Sequence, residues 1–194
     1  MATIGEYLPQ PEAGWKRYDD RSSLINYVGT WNKVTNSAYY NGTDTDSNVV
    51  GDYYEFCFLG TELRIIDALA TNRSTNVTVS IDGVEESYSG YGTTTMRAVL
   101  VYEKTGLSNT VHKVRVTNNA TGYLVLDAID INEDGEIYRY DYLDNRDLPE
   151  LMRKYGLHWF GFDEESGNVL DKIGSVIGTT YANAVRVEGW NSLG

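Results

Sequence analysis

With 194 residues and a net charge of −12, from 28 acidic and 16 basic side chains, the chain can bury a sizeable core but repels nucleic acid and anionic lipid. No stretch approaches the ~20 apolar residues of a membrane span, and the opening MATIGEYLPQPEAG lacks the basic start and apolar middle of an export signal. A single cysteine, Cys57, excludes an intrachain disulfide, so stability must come from burial.

Residues 1–13 carry Pro9 and Pro11 and read as an extended N-terminal arm or linker. From residue 14 to 137 the chain reads as one antiparallel β-sandwich. LINYVGTW, VVGDYYEFCFLG, TELRIID, NVTVSIDGVEES, MRAVLVYEKTG, VHKVRVTN and YLVLDAIDI follow one another without a helix-length apolar period. Val77, Val79 and Ile81 alternate with polar residues, as do Val114 and Val116, so each set faces one side of a strand. Asp82-Gly83 between Ile81 and Val84 is a hairpin signal.

The next segment, 138–156, reads as a linker with one short helix. Asp147 caps it, Pro149 and Glu150 sit in its first turn, and Gly156 closes it. Residues 157–194 return to a β-like pattern too short to build a sandwich alone, and are expected to be an incomplete second β domain. The expected fold class is therefore all-β, with a short helical connector.

If successive strands reverse direction, tight turns near 20–23, Gly60, Asp82-Gly83 and 105–110 share one end of the sandwich. The longer loops 35–48, 68–74, 89–95 and 118–122 then converge on the other end, where a rigid scaffold presents binding residues. These loops and their edges supply Tyr39, Tyr40, Asp44, Asn72, Arg73, Tyr88, Tyr91, Asn118 and Asn119. Aromatic faces beside amide, carboxylate and guanidinium groups suit sugar recognition: rings cover apolar C–H faces and polar tips bond hydroxyls. Asn and Asp also build turns, which is the competing role for each of them.

A second pattern lies in DINEDGEIYRYD. Asp130, Asn132 and Asp134 alternate, Gly135 stands sixth and Asp141 twelfth, the ligand spacing of a calcium loop. It departs from that pattern because a strand leads into it and its last ligand is Asp; a solvated acidic turn is the alternative. Catalytic motifs are not found: His112 falls in a strand, His158 follows the helix, and neither H-x-x-x-H nor G-x-S-x-G occurs.

The blocks GWKRYDD, GTELRIID, IDGVEESYS, LVYEKTGL and LDAIDI together resemble galactose-binding-like jelly-roll modules. Such modules occur in tail and structural proteins of phages of Gram-positive bacteria and among carbohydrate-binding modules. HWFGFDEESGNVLDKIGS is similar to the opening of a concanavalin-like or laminin-G-like lectin domain. The resemblance implies a non-catalytic binding module, not an enzyme, on a tail, receptor-binding or adhesin-type protein at a virion tail or bacterial cell surface. Its implied partners are a cell-surface glycan or wall polymer and other tail or fibre subunits, with calcium as the possible cofactor and neither nucleic acid nor membrane. Two other expectations stay open: a structural spacer or assembly domain with a protein partner, and an accessory domain of a glycan-degrading enzyme.

Overall fold

The computed structural model describes residues 2–142, together with the strands Val169–Leu170 and Ile177–Gly178. The chain divides into two units, Met1–Leu143 and Asp144–Gly194. The helix expected within 147–156 lies outside the described residues. Of the lectin-like stretch 157–194, only the antiparallel pairing of Val169–Leu170 with Ile177–Gly178 is described.

The first unit is an antiparallel β-sandwich. Its strands are β1 (Trp15–Asp19), β2 (Asn26–Val28), β3 (Asn32–Thr35), β4 (Thr43–Ser47), β5 (Tyr53–Gly60), β6 (Leu63–Leu69) and β7 (Val77–Ile81), then β8 (Val84–Tyr88), β9 (Met96–Lys104), β10 (Thr110–Asn118), β11 (Leu124–Leu126), β12 (Ala128–Asn132) and β13 (Glu136–Tyr138). One sheet has the order β1-β12-β6-β9. The other has the order β13-β5-β10-β7-β8, with β2 also on β5; β11, β4 and β3 form a third, smaller sheet.

Two-residue alternation builds the core. Tyr54, Phe56 and Phe58 of β5, Val114 and Val116 of β10, and Val77, Val79 and Ile81 of β7 point inward. They meet Leu63 and Ile65 of β6, Val99 and Val101 of β9, and Ile129 and Ile131 of β12, all buried. The β7–β8 hairpin turns at Asp82-Gly83, both with positive φ (52° and 84°), as a two-residue turn between right-twisted strands demands.

Residues 2–13 are packed rather than free. Leu8 buries itself on Ile66, Ala98, Leu100 and Ala128, the outer face of the first sheet. Gly5 and Leu8 donate backbone hydrogen bonds to Leu100 and Ala98, so the segment also runs along the edge of β9. Beneath it Arg17 holds Asp130 through two bonds of 2.5 and 2.7 Å, while Arg64 lies 3.9 Å from the Trp15 ring centroid and bonds Glu12 and Glu103.

Two stretches differ from the expected loops. Within 35–48 lie a 3-10 turn at Tyr40–Gly42 and the whole of β4. Within 130–141 lie the end of β12 and all of β13.

Candidate functional site

Three of the four long connections meet at one end of the sandwich, and the backbone laces them together. Ser74 donates to the carbonyl of Tyr123 (3.0 Å), Tyr123 to Asn72 (2.9 Å), Gly90 to Ser74 (2.9 Å) and Gly92 to Ala70 (3.1 Å). The pairs Ala70–Tyr91 and Arg73–Tyr123 form parallel bridges. Gly122 (φ +111°) makes this approach possible, since a Cβ there would lie 2.7 Å from the Arg73 carbonyl. Fixing loop backbones in this way removes ordering cost from any later binding event.

The laced loops border an open hollow of about 560 Å3 lined by Asn48, Thr71, Asn72, Arg73, Thr75, Tyr91, Thr121, Gly122 and Tyr123. Tyr91 is 49% exposed. The Arg73 guanidinium lies over the Tyr123 ring at 5.8 Å, and its Nη1 donates to Asn72 Oδ1 at 3.0 Å. Two tyrosine rings, a stacked guanidinium, two amides and three threonines thus line one hollow. That set can cover an apolar ring face and exchange hydrogen bonds with hydroxyls around its edge.

Of the residues singled out in the sequence, Asn72, Arg73 and Tyr91 are brought together here. Tyr39 is 7% exposed and lies behind them, its hydroxyl 3.4 Å from Arg73 Nη2; burial pushes that hydroxyl's pKa up. Asp44 is buried in β4, and burial, with Asp46 and Asp20 adding to it, pushes its carboxyl up to about 6. Tyr88 is packed against the core, and its hydroxyl donates to Asp67 at 3.3 Å. Tyr40 lies away from the hollow: its N–H donates to Asp127 and its ring sits 5.3 Å from the Arg17 guanidinium.

Asn118 and Asn119 part company. Asn118 is 0% exposed and its amide donates to the carbonyls of Gly122 (3.0 Å) and Val49 (3.3 Å), so it shapes the loop from below. Asn119 is exposed, donates to Thr78 Oγ1 at 2.6 Å and belongs to a different surface. Tyr123, Asn48 and the threonines were not singled out in the sequence. Tyr123 stood at the head of an apolar strand pattern, where an aromatic residue carries no separate signal.

Below the hollow, Asp67 is wholly buried and accepts from the Ala68 N–H at 2.5 Å. Burial pushes its carboxyl up to about 7, and that of Asp127 to about 7 as well.

Of the four residues of the calcium-like spacing, Asn132 and Asp134 touch, while Asp130 and Asp141 are engaged elsewhere. Asp130 is committed to Arg17, Asn132 accepts from the Thr61 N–H and donates to Asp134, and Asp141 faces Arg139 at 3.5 Å. Among the described residues no group of three or more His, Cys, Asp or Glu side chains could hold a metal ion. Strand alternation and the cation on β1 decide where Asp130 points.

No family model matches the chain. Over 107 residues it is 33% identical to an A type blood alpha-D-galactosamine galactosaminidase of Flavonifractor plautii, covering 55% of this chain and 10% of that protein. Over 108 residues it is 30% identical to an A type blood N-acetyl-alpha-D-galactosamine deacetylase of the same organism, covering 55% of this chain and 14% of that protein. The chain therefore matches only a small part of either relative. Among solved structures, a family two carbohydrate esterase from Cellvibrio japonicus is similar at a TM-score of 0.48 and 15% identity, covering 64% of this chain and 34% of that one.

The expectation that the protein is not an enzyme is corrected by these relatives, since both are named as carbohydrate-active enzymes. Neither is named as a tail or structural protein. Carbohydrate is the theme that the relatives share with the sequence reading.

Proposed function

We propose that the sandwich recognises glycan for a carbohydrate-active enzyme, holding one sugar unit in the hollow among loops 71–75, 89–95 and 118–123. In this reading Tyr91 covers a sugar face, Arg73 and Asn72 bond ring hydroxyls, and Tyr123 backs the guanidinium. The carrying observation is the exposed Tyr91 set beside Arg73 and Asn72 in loops locked by their own backbone bonds. Held near its glycan, a catalytic centre on the same protein works at a raised effective substrate concentration.

The names of the two relatives make a terminal galactosamine or N-acetylgalactosamine the first ligand to test. A glycan displayed on a cell surface suits this reading as well as it suits a receptor-binding tail protein, and the relatives' names favour the enzyme setting. The test is a glycan array probed with a multimerised chain, repeated with Tyr91→Ala. Binding to amino-galactose termini that Tyr91→Ala removes at unchanged melting temperature supports the site. An array blank for all sugars, or binding indifferent to Tyr91→Ala, overturns it.

A further inference from the structure

The end of the sandwich away from the laced loops is closed by tight turns, and a buried histidine joins two of them. His112 stands in β10 directly opposite Phe58 of β5, and the two-residue period that turns Val114 and Val116 inward turns it inward too. It is 2% exposed, so water does not stand in for a missing partner. Nδ1 lies 2.6 Å from Asp82 Oδ2, in the β7–β8 turn. Nε2 lies 2.8 Å from the Ser108 carbonyl oxygen, in the turn between β9 and β10.

Both of these partners are acceptors. A carbonyl oxygen has no proton to give, and the Asp82 carboxylate already accepts the Lys113 N–H at its other oxygen (2.8 Å). An imidazolium donates from both nitrogens and satisfies both contacts. A neutral imidazole has one N–H and one lone pair, so one contact must fail. The bond to the carboxylate is the stronger of the two, because its acceptor is ionised. The neutral ring therefore keeps Asp82 and turns a lone pair on Ser108.

The two turns depend on the ring unequally. Asp82 is tied to β10 without it, since its own N–H donates to the Lys113 carbonyl at 2.9 Å. The 105–110 turn rests on the body through Leu107, which donates to the Thr61 carbonyl at 3.0 Å and is partly buried on the core. Asp82 is the charged group bonded to the ring among the described residues. β5 presents the Phe58 ring, its centroid 5.2 Å from the imidazole, and β13 sets Ile137 beside Phe58, with Glu136 accepting from the Tyr138 hydroxyl. Lys104, at the end of β9, bonds Glu86, while Lys113 and Glu85 line the outer face of the sheet with Asp82.

We propose that His112 is a proton-operated clasp: with both nitrogens protonated it fastens the 105–110 turn to the β7–β8 turn, and with one proton removed it releases the 105–110 turn. The clasp is closed on the acid side and opens as pH rises. The inference rests on the ring and its two acceptors, independently of the sugar reading.

The test follows the imidazole 15N signals and amide-exchange protection of the full chain, corrected for intrinsic exchange, from about pH 5 to about pH 9, a span that brackets ordinary histidine titration. Proximity to the Phe58 ring identifies the signals of His112. Protection of Leu107 and Thr110 is expected to fall by about tenfold as the ring loses its proton, the effect of one buried hydrogen bond. Protection of Asp82 and Lys113 is expected to hold. His112→Gln, neutral at every pH and with one donor nitrogen, is expected to show the lower protection throughout. A ring that stays neutral across the range, turn protection indifferent to the ring's charge, or a pH response that survives in His112→Gln would each overturn the inference. Ring signals and exchange read together in the unaltered chain keep the test valid should the variant misfold.

Discussion

Arg17 and Asp130 face each other across β1 and β12 as a fork-to-fork ion pair, both side chains almost wholly shielded from water. Removing the cation leaves a buried carboxylate with no countercharge. Arg17→Met is therefore expected to destabilise the sandwich by about 3–5 kcal/mol, read as a lower urea midpoint. Recruiting Asp130 to a calcium ion would require the same sacrifice, so calcium and chelator are expected to give the same melting temperature. A calcium-dependent rise would return Asp130 to the list of ligands.

Asp67 sets a pH dependence. Burial raises its carboxyl to about 7 in the folded chain, and Asp127 and Asp44 are raised to about 7 and about 6. Unfolded, an aspartate titrates near ~3.9, so across the window from roughly pH 4 to 7 the folded state holds more protons. Stability from these groups is complete at the acid end and falls as pH rises through the folded values. Asp67→Asn should raise stability at pH 8 by about 2–4 kcal/mol and flatten part of the slope. Urea denaturation across that range reads both, and a slope that rises with pH or is unmoved by the substitution would refute the assignment.

Gly122 carries the seat of Arg73. Gly122→Ala brings a methyl against the Arg73 carbonyl at a positive φ, so one of the two loops must move. The cost is expected to be about 1–3 kcal/mol, with sugar binding at the loops lost. Retained binding with unaltered stability would mean the close approach is dispensable.

The neighbouring asparagines separate shape from contact. Asn118→Ala removes a buried amide that donates to the Gly122 and Val49 carbonyls and is expected to cost about 1–3 kcal/mol, weakening loop-site binding through the altered backbone. Asn119→Ala is expected to leave stability and loop-site binding as they were. Denaturation and sugar titration of the pair check this, and equal behaviour of the two would break the distinction.

Much of this architecture was legible because apolar alternation marks β7 and β10 directly, apolar segments bounded by turn residues mark β5, β9 and β12, and Asp82-Gly83 marks a hairpin. Strand parity was enough to bring Asn72, Arg73 and Tyr91 to one end. β4 escaped because its sequence is TDTDS: its buried positions are Asp44, Thr45 and Ser47, which no hydrophobic pattern reveals. Thr45 and Ser47 are buried because polar partners await them, the Asp20 carboxylate accepting from Thr45 and Asp52 accepting from Ser47. Tyr39 and Asp44 moved behind the site with that strand. Long-range partners of this kind have no local trace.

The segment along β9 has one more implication. Strand edges are the adhesive borders of β proteins, and here the chain's own first residues occupy one of them through Gly5, Glu6 and Leu8. The module covers this border before it meets a neighbour. That border is then closed to pairing with a strand from a domain next door.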